Sequence, residues 1–188
     1  MTSLIHHQPD NAGTSRHPGL EPVPSGARTA VSAAVARRLF AAAIRRLDVL
    51  APILESRLDR CSSKGFDGVE FDNVEGYQNP TGFGLTRDDQ LAFNRWLADA
   101  AHERGLAVGL KNALGIADEL EPDFDFAVVE QCFFYRECGL VKPFVDAGKS
   151  VVVVEYDLSR DQFCVKAARL GVVAMRKHLS LDAWRRPC

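Results

Sequence analysis

Four short apolar runs in the chain each end in a cluster of ionisable or amide side chains: Gly68-Val-Glu-Phe-Asp-Asn73, Val108-Gly-Leu-Lys-Asn112, Ala127-Val-Val-Glu-Gln131 and Val151-Val-Val-Val-Glu-Tyr-Asp157. Strands buried on both faces read as continuous apolar runs, and α/β folds place their chemistry where such strands stop. Between the runs the apolar period changes to that of helices. The spacing predicts helices over Arg28 to Leu47 and Ala51 to Ser63, with Pro52 starting or breaking a helix and Gly65 ending one. A strand over Phe66 to Asn73 then leads into a helix from Thr86 to Arg104, where Thr86 is an N-cap and Asp88 and Asp89 occupy the first turn. The alternation continues with a strand over Leu106 to Lys111, a short helix near Ile116 to Leu120 and a strand over Phe124 to Gln131. A helix around Cys138 to Ala147, a strand over Ser150 to Tyr156, a helix near Arg160 to Leu170 and a short strand over Val172 to Met175 complete it.

Repeated strand-helix units require a parallel sheet with right-handed crossovers, and two architectures fit: an open doubly wound sheet or part of a barrel. No glycine-rich phosphate fingerprint follows the first strand, which weakens the nucleotide-binding version. About four strand-helix units are visible in 188 residues, which suffice for one domain with a real core. Residues 1–27, rich in Pro, His, Ser, Thr and Gly, read as a disordered polar tail, and residues 28–188 as the domain.

Charge narrows the functional classes. With 23 basic and 25 acidic side chains the formal charge is -2, so no global field draws the chain to nucleic acid or to an anionic membrane. No apolar run approaches the ~18 residues of a membrane-spanning helix, and the first thirty residues lack the apolar stretch of a secretory signal. The five cysteines, Cys61, Cys132, Cys138, Cys164 and Cys188, form no CxxC pair, which argues against a structural zinc site. Cys132 and Cys138 flank a short loop and can pair in an exported protein; in a reducing compartment the cysteines stay free.

Asp72 and Glu130 lie near the ends of two strands with one strand between them, so both point to a shared pocket at the carboxyl edge of the sheet. Glycoside hydrolysis needs such a pair, one group protonating the departing oxygen and the other attacking the anomeric carbon or activating water. The separation is roughly 5 to 5.5 Å for retention and 6.5 to 9.5 Å for inversion. Glu155 is a third acid at a strand end. Lys111, beside Asn112, has two readings: a desolvated amine able to form a Schiff base, or a charged partner that keeps one carboxylate ionised while another holds a proton. Tyr77, Phe83, Phe133, Phe134 and Tyr135 fall in loops after two of the strands, where aromatic faces stack on sugar rings or pack the loop. Asp67, Glu70 and Glu75 read as solvated or helix-paired. His102 sits late in a helix, where the dipole favours a cation, and carries no catalytic reading.

The segments Ala51-Pro-Ile, Arg57-Leu-Asp59, Lys64-Gly65, Asp67-Gly-Val-Glu, Asp72-Asn-Val, Gly76-Tyr-Gln-Asn79 and Gly82-Phe83 recur, in this order, in a known family. Asn94-Arg-Trp-Leu97, Gly109-Leu-Lys-Asn112, Asp125-Phe-Ala127, Glu130-Gln-Cys132 and Val154-Glu-Tyr156 continue the match. On these residues the stretch Leu47 to Asp157 resembles the endo-α-1,4-polygalactosaminidases, glycoside hydrolases built on a (β/α)8 barrel. The resemblance implies a partial barrel, about strands 5 to 8 in parallel, preceded by an N-terminal helical segment. It implies cleavage of α-1,4-linked galactosamine-containing polysaccharide with retention and without metal or organic cofactor. Asp72 would then be nucleophile and Glu130 acid/base, or the reverse, with Asn73, Tyr77, Lys111, Asn112, Glu155 and Tyr156 lining the pocket.

Two expectations compete with catalysis. A half barrel exposes sheet edges and an apolar face, which predicts self-association and allows a truncated, inactive product that binds carbohydrate or nothing. Schiff-base chemistry at Lys111 is the other. Family members commonly act outside the cell, so a displaced start site or an upstream frame disruption is expected to account for both the missing leader and the missing strands.

Overall fold

The computed structural model describes residues 2–5, 44–80 and 83–188. Residues 28–43 of the helix expected over Arg28 to Leu47, and all of the polar tail except its first strand, lie outside the described residues; residues 44–46 are not helical, and Leu47 begins the helix expected from Ala51. Thr2–Ile5, within that tail, forms an extended strand, β1, paired antiparallel to β2 at Gly68–Phe71. β2 is followed by β3 at Ala107–Lys111, β4 at Phe126–Glu130, β5 at Ser150–Glu155 and β6 at Val173–Lys177, each parallel to the one before. A last antiparallel strand, β7 at Arg185–Pro187, closes the sheet of seven. The parallel body thus has five strands, and the short strand expected over Val172 to Met175 is a full member of the sheet at Val173–Lys177.

Strand order equals chain order. With right-handed crossovers that never reverse direction, every connecting helix falls on the same face of the sheet. This excludes the doubly wound alternative and gives the arrangement of a barrel wall. Side-chain direction follows the period of two. Val69, Phe71, Val108, Leu110, Val129, Val151 and Val153 are buried beneath the helices. The opposite face carries Glu70, Gly109, Lys111, Phe126, Val128, Glu130, Val152, Val154 and Val173 in matching register, and there Val173 remains 59% exposed.

The helices are α1 at Leu47–Ser63, α2 at Arg87–His102, α3 at Ala117–Leu120, α4 at Cys132–Tyr135, α5 at Lys142–Asp146 and α6 at Arg160–Leu170. Helix α1 buries Leu50, Leu54, Leu58 and Cys61, a stripe at helical spacing. It runs through Pro52, its sixth residue, instead of starting or breaking there, so the helix forgoes one backbone donor at that position. Thr86 and Asp89 form a reciprocal capping box on α2. On the buried side of α2, Gln90 donates to Asn94 at 2.8 Å and Asn94 donates to the Val74 carbonyl at 3.0 Å. This polar brace fixes the loop that leaves β2, the first loop of the site.

Glycine at 109 is a packing requirement. A Cβ there would stand 2.2 Å from the Phe126 ring, which lies over Gly109 on the same face of the sheet as Lys111. Two disulfides are formed, Cys132–Cys138 and Cys164–Cys188, while Cys61 is free and buried. The first is the pair expected of an exported chain. The second, joining α6 to the carboxyl end, was not anticipated.

Candidate active site

Three consecutive parallel strands end in the same way. Asp72, Lys111 and Glu130 are each followed by an amide residue in the left-handed region: Asn73 at φ 63°, Asn112 at φ 51° and Gln131 at φ 58°. Asn and Gln tolerate that region better than branched residues, and the sharp turn lifts the chain off the sheet just beyond the charged side chain. The amides then tie the rim together. Asn73 donates to Asp72 at 2.9 Å, Asn112 accepts from the Glu130 backbone N–H at 2.9 Å, and Gln131 donates to Asp157 at 2.8 Å.

Lys111 is the centre. Its ammonium lies 2.9 Å from Glu130 Oε2, 3.2 Å from Asp72 Oδ1 and 4.0 Å from Glu70 Oε1. Because one atom touches both strand-end acids, the two contacted oxygens cannot be farther apart than those two contacts laid end to end, roughly 6 Å. Asp72 and Glu130 converge.

Electrostatics follow from the contacts. Burial pulls the Lys111 pKa downward, but Glu130, Asp72 and Glu70 more than offset it and hold the amine above its ordinary value. A Schiff-base lysine needs the opposite shift, so the structure supports the ion-pair reading of Lys111. Burial also pulls Glu130 upward, yet hydrogen bonds from Tyr156, Lys111 and Asn112 hold its carboxyl below the usual range. The Tyr156 hydroxyl, which donates to Glu130 Oε1, is pushed far above its ordinary pKa by burial and by Glu130.

Two acids expected to be solvated or helix-paired belong to this hollow. Glu70 is buried one residue pair before Asp72 on the same face, and burial raises its pKa against the pull of Lys111. Glu75, in the loop after β2, is raised by burial and by Asp72, and its Oε2 is enclosed without a hydrogen-bond partner among the described residues. The period-two parity of Glu70 with Asp72 was the available signal for the first. Loop residues such as Glu75 carry none.

Glu155 departs from expectation. Adjacent strand residues face opposite sides, so Tyr156 enters the hollow while Glu155 points beneath the helices with Val151 and Val153. There it is fully buried and accepts from the Phe133 N–H at 2.8 Å, with Oε2 unpartnered among the described residues. It braces the loop after β4 and does not line the pocket. Tyr77 lies at the edge, its hydroxyl accepting from Gln78 at 2.7 Å; a Cβ at Gly115 would meet both side chains, so the loops after β2 and β3 are packed in contact. His102 pairs with Asp125 at 2.9 Å, away from the hollow. Among the described residues no group of three or more His, Cys, Asp or Glu side chains could hold a metal ion, and no helix is long and apolar enough to cross a membrane.

The model of glycoside-hydrolase family GH114 matches residues 41–188. Among solved structures, Aspergillus fumigatus Ega3 in complex with galactosamine is similar at 36% identity with a TM-score of 0.68, over 73% of this chain and 60% of that one. The glycoside hydrolase domain of PelA from Pseudomonas aeruginosa aligns at 18% identity with a TM-score of 0.49, over 70% of this chain and 61% of that one. The chain therefore spans about 60% of the length of these solved relatives. No curated protein matches it.

Proposed function

The chain belongs to glycoside-hydrolase family GH114, and on that premise we propose that its strand-end hollow cleaves α-1,4-linked galactosamine-containing polysaccharide with retention, using Asp72 and Glu130. The observation that carries this is the single ammonium of Lys111 in contact with both carboxylates, which caps the distance between their contacted oxygens at roughly 6 Å, below the range of about 6.5 to 9.5 Å used for inversion and compatible with the closer pair that retention needs. The five parallel strands would then form part of a (β/α)8 wall. Asn73, Tyr77, Asn112 and Tyr156 would orient the sugar around the pair, and no metal or organic cofactor would take part.

In the first step an Asp72 oxygen attacks the anomeric carbon as Glu130 passes its proton to the glycosidic oxygen; the old C–O bond breaks and the shortened chain leaves as an alcohol. In the second, Glu130 takes a proton from water, whose oxygen displaces Asp72 from the same carbon and restores the starting configuration. Glu130 must therefore be protonated when the sugar binds. A closing sugar expels water and raises the carboxyl, the direction burial already favours. The three donors that hold Glu130 ionised in the empty site favour the exchanged assignment, with Glu130 attacking and Asp72 protonating. Azide added to each alanine variant separates the two: it gives product of inverted configuration where the nucleophile is lost and retained configuration where the acid/base is lost.

Substrate charge fits the hollow. Glu70, Asp72 and Glu130 outnumber the one ammonium, so a cationic amino sugar enters a net-negative site. Ega3 was solved with galactosamine bound, which supports the same sugar here. The test is release of oligosaccharides from a deacetylated α-1,4-galactosamine polymer by the purified chain. Asp72→Asn and Glu130→Gln should each abolish release, and turnover that survives both substitutions would refute the assignment.

A second reading, an inactive wall that binds carbohydrate and self-associates, is favoured by the open face, where Val173 stays 59% exposed. Binding of the polymer with no turnover, together with a dimer in sedimentation, would select it.

A further inference from the structure

The loop that follows Glu130 presents two aromatic rings to solvent on a rigid mount. Phe134 is 46% exposed and Tyr135 is 60% exposed, although Cys132 in the same turn is fully buried. The rings meet edge to face, with centroids 5.1 Å apart and planes at 88°. Such exposure normally marks a loose loop or a contact surface.

This loop is not loose. Gln131 at φ 58° and Arg136 at φ 63° turn the backbone left-handed on either side of α4. Cys132–Cys138 ties the turn across its base, and the Phe133 ring stacks on Phe163 at 6.0 Å. The buried Glu155 carboxylate accepts the Phe133 N–H, and Gln131 reaches Asp157 on the next strand end. Four contacts and two left-handed residues therefore hold a four-residue turn whose outermost side chains are two bare rings.

We propose that Phe134 and Tyr135 form an outer subsite that stacks a sugar of the polysaccharide beyond the linkage being cut. The inference rests on the function proposed above. Aromatic faces bind the C–H faces of sugars, their quadrupole attracts an ammonium substituent, and a preformed mount avoids ordering costs on binding. Continuity identifies the occupant as substrate: the turn begins directly after Glu130, on the rim where Asp72, Lys111 and Tyr156 also end.

The test measures binding of an α-1,4-linked galactosamine disaccharide and of a long oligosaccharide by calorimetry, using the full chain with Glu130→Gln so that the sugars survive. Adding Phe134→Ala and Tyr135→Ala should weaken the long chain by roughly three- to tenfold for each ring and leave the disaccharide unchanged. Tyr135→Phe, which keeps the ring, should retain full affinity. Long-chain affinity unaffected by the double alanine variant would overturn the platform alone, as would equal weakening of both lengths. A dimer that the double variant dissolves without loss of sugar binding would reassign the rings to self-association. A parent that binds neither length would overturn the reading of the site itself, and the platform with it.

Discussion

Replacing Lys111 by Met keeps most of the stem and removes the one charge that lets Asp72 and Glu130 sit close together. At an effective dielectric of about 20, each contact near 3 Å is worth about 5 kcal/mol before desolvation, which takes back several. What remains after substitution is repulsion between the two carboxylates at roughly 6 Å, about 3 kcal/mol on the same scale. The penalty has a ceiling, because one carboxylate can take up a proton instead, which from an ordinary pKa costs about 3.7 kcal/mol at pH 7. With Asp72 38% and Glu130 28% exposed, solvent screening lowers the expected loss to about 2 kcal/mol. The pH dependence has a definite sign. Glu130 is depressed in the native state, so its contribution is present above the unfolded pKa and is lost as pH falls through the folded one. Lys111→Met should therefore be less stable than the parent in urea at pH 7, and the gap should begin to narrow near pH 4 and close at lower pH, as Glu130 takes up its proton through its depressed folded value. Equal stability at pH 7, or a gap unchanged below pH 4, would refute the account of the cluster.

Burial raises the Glu155 carboxyl, with the N–H groups of Phe133 and Phe134 opposing only in part, so its contribution declines as pH rises from about 4.3 toward the folded value. Glu155→Gln keeps an acceptor for Phe133 and should gain stability relative to the parent between pH 4 and pH 7 in urea titrations, whereas Glu155→Ala should lose about 1 to 3 kcal/mol throughout; parallel curves for Gln and parent would contradict the burial argument. Gly109→Ala drives a methyl into the Phe126 ring and should cost roughly 1 to 3 kcal/mol. Phe126→Leu in that background should recover part of it, and strict additivity of the two changes in denaturation midpoints would show that the contact does not matter.

Much of this was legible from local pattern. Runs of Val and Leu marked the parallel strands, the Thr86–Asp89 box marked the start of α2, and α6 has the bounds that its spacing predicts. The charged strand ends were visible as Asp-Asn, Lys-Asn and Glu-Gln pairs, although their shared left-handed turn was not. Period-two parity, applied strictly, would have put Glu70 with Asp72 and turned Glu155 away from Tyr156. What no local pattern encodes is partnership over distance. The choice between a singly and a doubly wound sheet lies in strand order, and the Cys164–Cys188 bond spans 24 residues that carry no pairing signal. Glu75 reaches the hollow from a loop whose Val74 carbonyl is held by Asn94, on α2, a contact over 20 residues of chain.

The central lysine also separates the two readings of the site. A module that only binds a cationic sugar gains nothing from an ammonium among its acids: Lys111 neutralises part of the field and competes with the ligand's own ammonium for Asp72 and Glu130. Catalysis needs what Lys111 supplies, two acids close enough to act on one anomeric carbon and held by unequal sets of partners. Glu130 has three donors beyond its own backbone, whereas Asp72 has Lys111 and Asn73. Lys111→Met should therefore bind a galactosamine polymer more tightly while its turnover collapses, opposite movements that a pure binder does not show. Binding that weakens together with turnover would place Lys111 in contact with the sugar and remove this argument for a catalytic pair.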